Sequence, residues 1–541
     1  MYLCLGCGSN LRFDIATQRL KCDSCENSYD VREYDEIKYK EDTSMETPED
    51  KAFYDSVVLS CPHCGGEVIT NDENTVASYC SYCGASVVLE RRMQGVKKPQ
   101  KIIPFAVSKE QCRKNYKDFV GKAFFVPKEL KNDKYIEQFR GIYMPYWTYE
   151  AAHEGELHTK AESKPERHGD YLYYDCYKVD GTVRDKQKGI SFDAEATYDD
   201  ELSKAIEPYD YRKAQEFSPA YMCGFFGDLP NVPEKIYSKE AGDISDSITK
   251  QRIEKISEFK DMDFDKGLQD DISKIRKMEK GESTLFPVWF LTYRKNDRVA
   301  YAIVNGQTGA TYADMPASIK KYIIFSLILA IPIYFILEVA ITMLPTTLLK
   351  LVELVAIVAV ILYFCNVRKV KKRESHEGDK GYATLKADTK TEINKISKEE
   401  GNNVKKSKLS SLLLKLDIWV VVFVVLIVVV SFAGITNFIG IIMPFAGILT
   451  GIVSIISNFK EDENVKRAYI SSVGIVILAI TMIISGVVDV IKPIQDWINY
   501  IAIAILLIGI VSCNMAIIRK YNVLATRPLP QFDRKGGEQK G

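Results

Sequence analysis

The pattern of apolar and polar residues changes abruptly near residue 321. Residues 1–321 alternate short strand-like stretches with polar, helix-favouring ones and contain no apolar run long enough to cross a bilayer. Six segments of about 20 mostly apolar residues follow, which is the length that a helix needs to cross the hydrocarbon core. They are Ile323–Leu344, Leu348–Val367, Leu412–Phe432, Ile435–Phe459, Tyr469–Val490 and Trp497–Ile518. A single run of this kind is also compatible with a buried core helix, but six of them predict an all-α, six-helix transmembrane domain.

Lysine and arginine residues predict the orientation of these segments, because positively charged flanks stay on the cytoplasmic side. The loop 368–411 carries thirteen Lys and Arg against seven Asp and Glu, whereas the alternate loops hold only Lys350 and Lys492. We therefore expect a multi-pass protein of a bacterial cell membrane, surrounded by membrane lipid, with both termini in the cytoplasm. Its predicted parts are a two-span hairpin at 322–367, a basic cytoplasmic loop at 368–411, four spans at 412–518 and a polar cytoplasmic tail at 519–541. We expect its last part, TRPLPQFDRKGGEQKG, to be a frayed end, and a second docking peptide is the alternative.

Three ionisable residues fall within the first predicted hairpin, namely Glu338, Lys350 and Glu353. Ionisable groups inside membrane spans pair with one another or line a pathway for ions or protons. These three lie near the outer end of the hairpin rather than at its midplane, so we expect them to snorkel to the nearby interface. An intramembrane polar site made of these residues is the alternative.

Eight of the 13 cysteines form two matching sets of four. The first set is Cys4, Cys7, Cys22 and Cys25, and the second is Cys61, Cys64, Cys80 and Cys83. Each set consists of two C-x-x-C pairs, and two such turns present four thiolates to one point, which is the tetrahedral ligand set of structural zinc. The stretch LRFDIATQRLK between the first two pairs alternates like a short hairpin. The sequence therefore predicts two zinc ribbons that bind one zinc ion each.

Disulfide bonds and iron are the alternatives to zinc. The predicted cytoplasmic location argues against disulfides, whereas four thiolates also bind iron. A four-thiolate site leaves no coordination position open for water, so it is structural rather than catalytic. We assign residues 1–40 and 56–95 to the two ribbons and expect the acidic linker 41–55 to separate them as independent small modules.

The middle region, residues 101–320, has the mixed pattern of a cytoplasmic α+β domain. Ser108 and Gln111 form a capping box, and the helix that they begin places Cys112 and Tyr116 on one face and ends at Gly121. Three dipeptides predict tight hairpin turns: Asp180-Gly181, Asn296-Asp297 and Asn305-Gly306. The stretches MPYWTY and FPVWFL resemble each other, and we expect their Trp residues to be part of the core.

Neither catalysis nor nucleic-acid binding is favoured by the sequence. It has no nucleotide-binding, dinucleotide-binding or hydrolase signature, and HEGELH at 153–158 has the wrong spacing for a metalloprotease. Residues 1–100 carry eleven Lys and Arg against seventeen Asp and Glu, and each four-thiolate zinc site adds further negative charge. Such a surface repels phosphates, so proteins are the expected partners of the ribbons.

With these features in place, the chain resembles the zinc-ribbon membrane proteins of Gram-positive bacteria. Their ribbons are of the transcription-factor-B type, and some members carry primosomal-helicase-like names. The resemblance rests on the eight cysteines, the GIYMPYW and PVWFLTY stretches and the carboxy-terminal spans. It implies a multidomain membrane protein of undetermined function, and no nucleotide-binding loop is present to drive a helicase. Our first hypothesis is a non-enzymatic adaptor that holds cytoplasmic or membrane proteins. The alternatives are a transporter or channel component regulated by the ribbons and, less favoured, a membrane-tethered nucleic-acid-binding protein.

Overall fold

The computed structural model describes residues 2–42, 53–71, 79–87, 89–196, 200–265, 267–340, 344–376, 379–385, 445, 448–452, 469–491 and 495–530. The described part of the chain is multidomain. It contains two four-cysteine groups, a large sheet domain with helices packed on it, and several long apolar helices.

The segment that carries the first four-cysteine group is a small antiparallel sheet followed by a helix. Its elements are β1 (Leu11–Asp14), β2 (Arg19–Cys22), β3 (Ser28–Tyr29) and α1 (Val31–Asp42). The β1–β2 pair is the hairpin that the alternating pattern predicts, with Leu11 opposite Cys22.

The sheet domain is built on a mostly antiparallel sheet in which 14 described strands take part. Its strands and the hairpin strands β9 and β10 are β4 (Phe53–Ser60), β5 (Glu67–Thr70), β6 (Glu90–Lys97), β7 (Lys101–Ile102), β8 (Arg140–Ser163), β9 (Glu166–His168), β10 (Tyr171–Tyr173), β11 (Cys176–Asp193), β12 (Gln215–Glu216), β13 (Phe226–Gly227), β14 (Met262–Phe264), β15 (Arg276–Met278), β16 (Glu282–Lys295), β17 (Arg298–Asn305), β18 (Thr311–Ala313) and, much later in the chain, β19 (Arg527–Pro528). The helices on this sheet are α2 (Lys109–Gly121), α3 (Asp133–Ile136), α4 (Asp200–Ala205), α5 (Ser238–Glu254) and α6 (Leu268–Lys274). The main path of neighbouring strands is β12-β7-β16-β8-β13-β5-β4-β6.

The antiparallel pair β8–β16 carries a local two-fold symmetry. Met144 lies opposite Phe286 at the centre of the pair. Trp147 lies three residues after Met144, and Trp289 lies three residues after Phe286. Both indole N–H groups donate 2.8 Å hydrogen bonds to backbone carbonyls, at Val232 and Val107 respectively. The two similar stretches of sequence are therefore paired with each other at the centre of the sheet.

Helix α2 forms as the sequence predicts. The Ser108 side chain accepts a hydrogen bond from the backbone N–H of Gln111, and Cys112 and Tyr116 are buried against the sheet. The turn at Asn296-Asp297 is also confirmed, since it joins β16 to β17 with Asn296 at φ 57°.

A long two-stranded arm made by β8 and β11 replaces the predicted hairpin turn at Asp180-Gly181. Gly181 pairs with Leu157 in the middle of a continuous ladder, so the prediction of a turn there is wrong. The chain instead reverses beyond Ser163, where β9 and β10 form the tip of the arm. The 24 residues of β8 correspond to a contour length of roughly 80 Å at about 3.3 Å per residue.

Both segments that carry a four-cysteine group are attached to the sheet domain, which corrects the expectation of independent modules. Strands β4, β5 and β6, which adjoin the second group, continue the sheet, because β5 pairs with β13 and β13 pairs with β8. In the segment of the first group the N–H of Phe13 donates a 3.0 Å hydrogen bond to the Cys223 carbonyl, and the Phe13 ring packs on Tyr221 at 5.3 Å. The first cysteine group thus belongs to a hydrophobic cluster that includes sheet residues, and the second lies in a separate cluster against which Phe226 of β13 packs.

Four helices in the described part of the chain are long and apolar enough to cross a membrane, which indicates membrane association. The helices that follow the sheet domain are α7 (Ile319–Ala340), α8 (Pro345–Glu374), the short α9 (Lys380–Leu385), α10 (Tyr469–Ile491) and α11 (Asp496–Leu524). Helices α7, α8, α10 and α11 coincide with four of the six predicted spans. The predicted span Leu412–Phe432 and most of Ile435–Phe459 lie outside the described residues, so a count of six is not supported by the structure.

The ends of these helices meet the sheet domain. The Asn522 side chain of α11 exchanges two hydrogen bonds with the backbone of Ala317, just before α7. Arg298 of β17 contacts Glu374 at the end of α8 at 3.0 Å. After α11 the chain forms β19, in which Arg527 lies opposite Val299. Residues 525–530 are therefore docked on the sheet, and the expectation of a frayed end is wrong for this part of the tail.

Part of the predicted basic loop is also docked. Helix α9 lies beside α5, where Lys380 contacts Glu240 at 3.8 Å and the His376 ring stacks on Tyr382 at 3.9 Å. The loop that follows α8 is thus in contact with the sheet domain rather than fully solvated over its first turns.

Candidate functional site

The first four-cysteine group is made by two similar turns. In one, the N–H of Gly8 donates a 2.8 Å hydrogen bond to the Cys4 carbonyl, and in the other the N–H of Glu26 donates to the Cys22 carbonyl at 3.0 Å. Gly8 and Glu26 both have positive φ, at 73° and 60°, which turns the chain immediately after the second cysteine of each pair. The sulfur atoms of Cys4, Cys7, Cys22 and Cys25 all lie within 4.8 Å of one another.

The second group repeats this construction with glycine at both positive-φ positions. Gly65 and Gly84, at φ 77° and 65°, close turns onto the carbonyls of Cys61 and Cys80. The four sulfur atoms again lie within 4.8 Å of one another, at Cys61, Cys64, Cys80 and Cys83. A residue with left-handed backbone after each C-x-x-C pair is therefore what aims both sulfurs of the pair at one point.

The spacing of the sulfur atoms fits a tetrahedral metal ion. Sulfurs at about 2.3 Å from a tetrahedrally bound zinc lie about 3.8 Å from one another. In the second group Cys61 and Cys83 are 3.8 Å apart and Cys64 and Cys80 are 3.7 Å apart. All 13 cysteines of the chain are described, and none of them forms a disulfide bond. Both groups are compatible with zinc binding, and the same ligand set accepts iron.

The two groups differ in exposure and in their surroundings. All four cysteines of the second group are buried, whereas Cys7 and Cys25 of the first group are exposed. In the first group the Tyr29 hydroxyl lies 3.3 Å from the Cys4 sulfur, and this hydrogen bond lowers the pKa of the Cys4 thiol to about 6. A low thiol pKa favours the thiolate that binds metal at neutral pH.

The second group is fastened to the sheet through the turn 80–83. The hydroxyl of Tyr82 donates a 2.6 Å hydrogen bond to the buried carboxylate of Asp228, and the hydroxyl of Tyr301 donates to the Tyr82 carbonyl at 2.9 Å. Leu529, which follows β19, packs on the apolar cluster that surrounds the four cysteines. The segment that leaves α11 thus contacts the surroundings of this candidate metal site.

Two of the three ionisable membrane residues have described side chains. Lys350 is half-buried near the start of α8. Glu353 is 0% exposed, and within the described residues neither of its carboxylate oxygens has a hydrogen-bond partner. It therefore does not snorkel to the interface, contrary to expectation. The side chain of Glu338 lies outside the described residues.

Sequence reasoning missed the residues that face Glu353. Ser485 and Asp489 of α10 are buried beside it, and Asn499 is buried on the neighbouring helix α11. The acid in GVVDVIK, near the end of its span, was the available signal for Asp489. The result is a cluster of polar side chains, Glu353, Ser485 and Asp489, which we call the membrane polar cluster.

A second feature that sequence reasoning missed is the aromatic tip of the arm. Large side chains around β9 and β10 are exposed, with Tyr171 at 71% and Tyr173 at 59%. The others in this group are Leu172, Tyr174 and Tyr177. The run YLYYDCY in the sequence indicates a group of aromatic residues. Their exposure does not follow from the sequence, because it depends on the distance between the tip and the rest of the sheet.

The histidines of HEGELH do not form a metal site. His153 is fully buried and lies 2.9 Å from Asp246 and 3.1 Å from Thr249, in a hydrogen-bonded network between β8 and α5. His158 lies on the arm and contacts Asp180 at 2.6 Å. The two side chains thus have different hydrogen-bond partners.

The chain is similar to the uncharacterized protein YdjG of Bacillus subtilis (strain 168). The two are 25% identical over 325 residues, which is 59% of this chain and 91% of that protein. No family model and no solved structure matches the chain.

Proposed function

We propose that the protein is a zinc-binding, multi-pass protein of a bacterial cell membrane that acts as a non-enzymatic adaptor for cytoplasmic or membrane proteins. The observation that carries this proposal is the exposed aromatic tip of the arm. Tyrosine-rich surfaces are typical of protein-binding sites, because a rigid amphipathic ring contributes much contact area at little entropic cost. Soluble surfaces rarely expose five large side chains together without a partner.

The proposed role of the two zinc ions is structural. Four thiolates fill the coordination sphere of zinc, so no position remains for a substrate or a catalytic water. In the second group the ion would hold β4, β5 and β6 in the sheet, and in the first it would hold the ribbon that packs beside Tyr221. Both ions would thus stabilise the body from which the arm projects.

The proposed topology has six spans and cytoplasmic termini. The start of α7 and the ends of α8 and α11 all contact the sheet domain, so these ends share one side of the membrane. Because α10 and α11 form a hairpin, α10 begins on that side too, and an even number of spans must separate it from α8. Two spans between residues 412 and 459 satisfy this condition. The arrangement agrees with the resemblance to zinc-ribbon membrane proteins.

The adaptor proposal is tested by site-specific photocrosslinking of the full chain in intact cells. A photoreactive amino acid replaces Tyr173 at the tip or, as the control, Met93 on β6, and the two side chains are equally exposed at 59%. We expect a discrete protein adduct from position 173 and none from position 93. Combined substitution of the neighbours, Tyr171→Ser, Leu172→Ser and Tyr174→Ser, should abolish the adduct. Equal labelling at both positions, or no protein adduct at 173, would show that the tip is not a docking site.

A transporter or channel component is the second candidate, and the membrane polar cluster favours it. Two carboxylates, Glu353 and Asp489, are buried close to each other in the described helices, and ionisable groups inside membrane spans mark ion and proton pathways. The test is cation or proton flux into vesicles that contain the full chain. Loss of flux in Glu353→Gln, with flux retained in the exposed Asp496→Asn, would support transport. Flux that is absent or unaffected by Glu353→Gln would count against it.

Binding of nucleic acid is the third and least favoured function. The acidic balance of residues 1–100 opposes contact with phosphates. Retention of the full chain on a phosphate-rich matrix at physiological salt, lost when the salt concentration is raised, would reverse this ranking.

A further inference from the structure

A cavity of about 430 Å³ lies where the sheet domain meets the first membrane-length helix. One wall comes from the segment after α2, with Lys122, Phe124 and Lys131, and the other from the first three turns of α7, with Lys321, Phe325 and Ile328. The lining of the cavity thus contains three lysines and an apolar helix surface.

The two walls are held together by specific contacts. The N–H of Ser318 donates a 2.7 Å hydrogen bond to the Phe125 carbonyl, and the Lys321 ammonium donates to the Val126 carbonyl at 2.7 Å. The rings of Phe124 and Phe325 lie 5.4 Å apart. The cavity is therefore a fixed part of the junction.

The charges of the three lysines are not balanced within the described protein. Lys131 donates to the Ala123 carbonyl at 3.0 Å, but no described carboxylate forms an ion pair with Lys122, Lys131 or Lys321. An ammonium has three donors, so Lys131 and Lys321 keep donors for a ligand after their bonds to carbonyls. The positive charge of these three lysines is therefore suited to an anionic ligand.

The apolar wall indicates what carries that anion. Phe124 is 63% exposed, and the membrane-length window Ile319–Ile336 of α7 is 0% buried within the described structure. Lysines at the end of a membrane span lie at the level of the lipid headgroups, and exposed aromatic rings occupy the same level. An apolar surface that continues from the lysines into the hydrocarbon region suits an acyl chain and does not suit a free anion.

We propose that this cavity binds the phosphodiester group of an anionic phospholipid. The three lysines contact the phosphate, and an acyl chain lies on the face of α7 that contains Ile328. Phe124 inserts beside it and seats the sheet domain on the membrane surface. The proposal requires α7 to be a membrane span, but it does not depend on the adaptor function or on the metal sites.

The test measures lipid retention by the full chain in nanodiscs of two compositions, phosphatidylcholine alone and phosphatidylcholine with 30% phosphatidylglycerol. We expect enrichment of phosphatidylglycerol around the protein, measured by native mass spectrometry of the released complex. The triple variant Lys122→Gln, Lys131→Gln, Lys321→Gln should lower this enrichment by about tenfold or more, since each basic residue contributes separately to anionic-lipid attraction.

A matched control removes three exposed lysines elsewhere, as Lys97→Gln, Lys98→Gln and Lys255→Gln, and should leave the enrichment unchanged. Melting temperatures check that both variants fold. A photoactivatable phosphatidylglycerol should label the wild-type peptide that contains Phe124 or the one that contains Ile328. Glycerol 3-phosphate in solution should not compete with the lipid. Equal enrichment in the wild type and the first triple variant, labelling elsewhere, or full competition by the soluble phosphate would each overturn the proposal.

Discussion

Arg527 and Asp314 form a buried ion pair that joins the two ends of the membrane region. Asp314 follows β18 and precedes α7, whereas Arg527 follows α11, so one contact connects the segment that enters the helices to the segment that leaves them. The Asp314 carboxylate also accepts a 2.9 Å hydrogen bond from the backbone N–H of Tyr301 in β17. The sheet domain and the membrane helices are thus fixed to each other at this residue.

Replacement of Arg527 should therefore destabilise the whole protein. In Arg527→Gln the Asp314 carboxylate stays buried but loses its closest cationic partner, which costs about 3 kcal/mol of unfolding free energy in comparable buried pairs. Thermal unfolding of the full chain in detergent measures the effect. Arg12→Gln, which removes an ion pair between two exposed side chains, is the control and should change stability by less than about 0.5 kcal/mol. Similar melting temperatures for the two variants would contradict the importance of the pair.

The turns of the metal groups lead to a prediction about three glycines. Gly84 has a φ of 65°, and a Cβ there would lie 3.1 Å from the Cβ of Arg294, whereas Gly8 has a φ of 73° with open space around it. Gly8→Ala should cost about 1 kcal/mol for its backbone conformation, and Gly84→Ala should cost more, about 2 kcal/mol. Gly95→Ala in β6 has neither constraint and should be close to neutral. Metal-retention assays should rank the variants in the same order, and a neutral Gly84→Ala would be evidence against the strained turn.

The difference in exposure predicts two rates of metal release. A chelator reaches the first group through the exposed Cys7 and Cys25, but it reaches the second only when the sheet opens, because all four of its cysteines are buried. Chelator-induced release from the purified full chain should therefore show a fast and a slow phase of equal amplitude. Cys7→Ser should remove the fast phase and Cys64→Ser the slow phase. A single phase with both ions bound would refute this order.

The carboxyl group of Asp193 predicts a loss of stability as pH rises above the ordinary pKa of a carboxyl group. Burial, together with the nearby carboxylates of Asp200 and Asp379, raises the pKa of Asp193 well above its usual range. The folded state thus holds this proton more tightly than the unfolded chain, so the unfolding free energy falls as pH rises through the raised pKa. Each unit of pKa elevation corresponds to about 1.4 kcal/mol.

Asp193→Asn cannot titrate and keeps an acceptor for the Ser203 hydroxyl, 3.0 Å away in the wild type. It should flatten the decline of melting temperature between acidic and alkaline pH. Burial also raises the pKa of Asp228, so a slope of the same sign should remain. The exposed Asp170→Asn is the control, and a profile unchanged by Asp193→Asn would disprove the assignment.

The two four-cysteine groups could be predicted because each of their turns depends on residues that are adjacent in the sequence. A C-x-x-C turn closes through a backbone hydrogen bond from the residue after the second cysteine, as from Gly65 to Cys61, and this depends on only five residues. The same holds for the Ser108 cap of α2 and for the Asn296-Asp297 turn.

The predictions were wrong where segments that are distant in the sequence determine the local structure. Asp180-Gly181 has the composition of a turn, but β8 is long enough for both residues to pair with it within the antiparallel ladder. The position of Glu353 along α8 follows from the sequence and predicts that the side chain reaches the interface. The face of α8 that carries Glu353 depends instead on the packing of α8 against α10 and α11. These two helices bury that face. Residues 525–530 look like a polar end, and only the free edge of β17 gives them a strand partner.

Strands β4, β5 and β6 have two roles, as the support of the second four-cysteine group and as the end of the sheet. Without an ion, repulsion and loss of the metal bonds would release these strands and uncover Phe226 and the edge of β13. Unprotected strand edges lead to aggregation and proteolysis. The cellular abundance of this protein should consequently follow the supply of the metal that this group binds, without any need for a dedicated sensor.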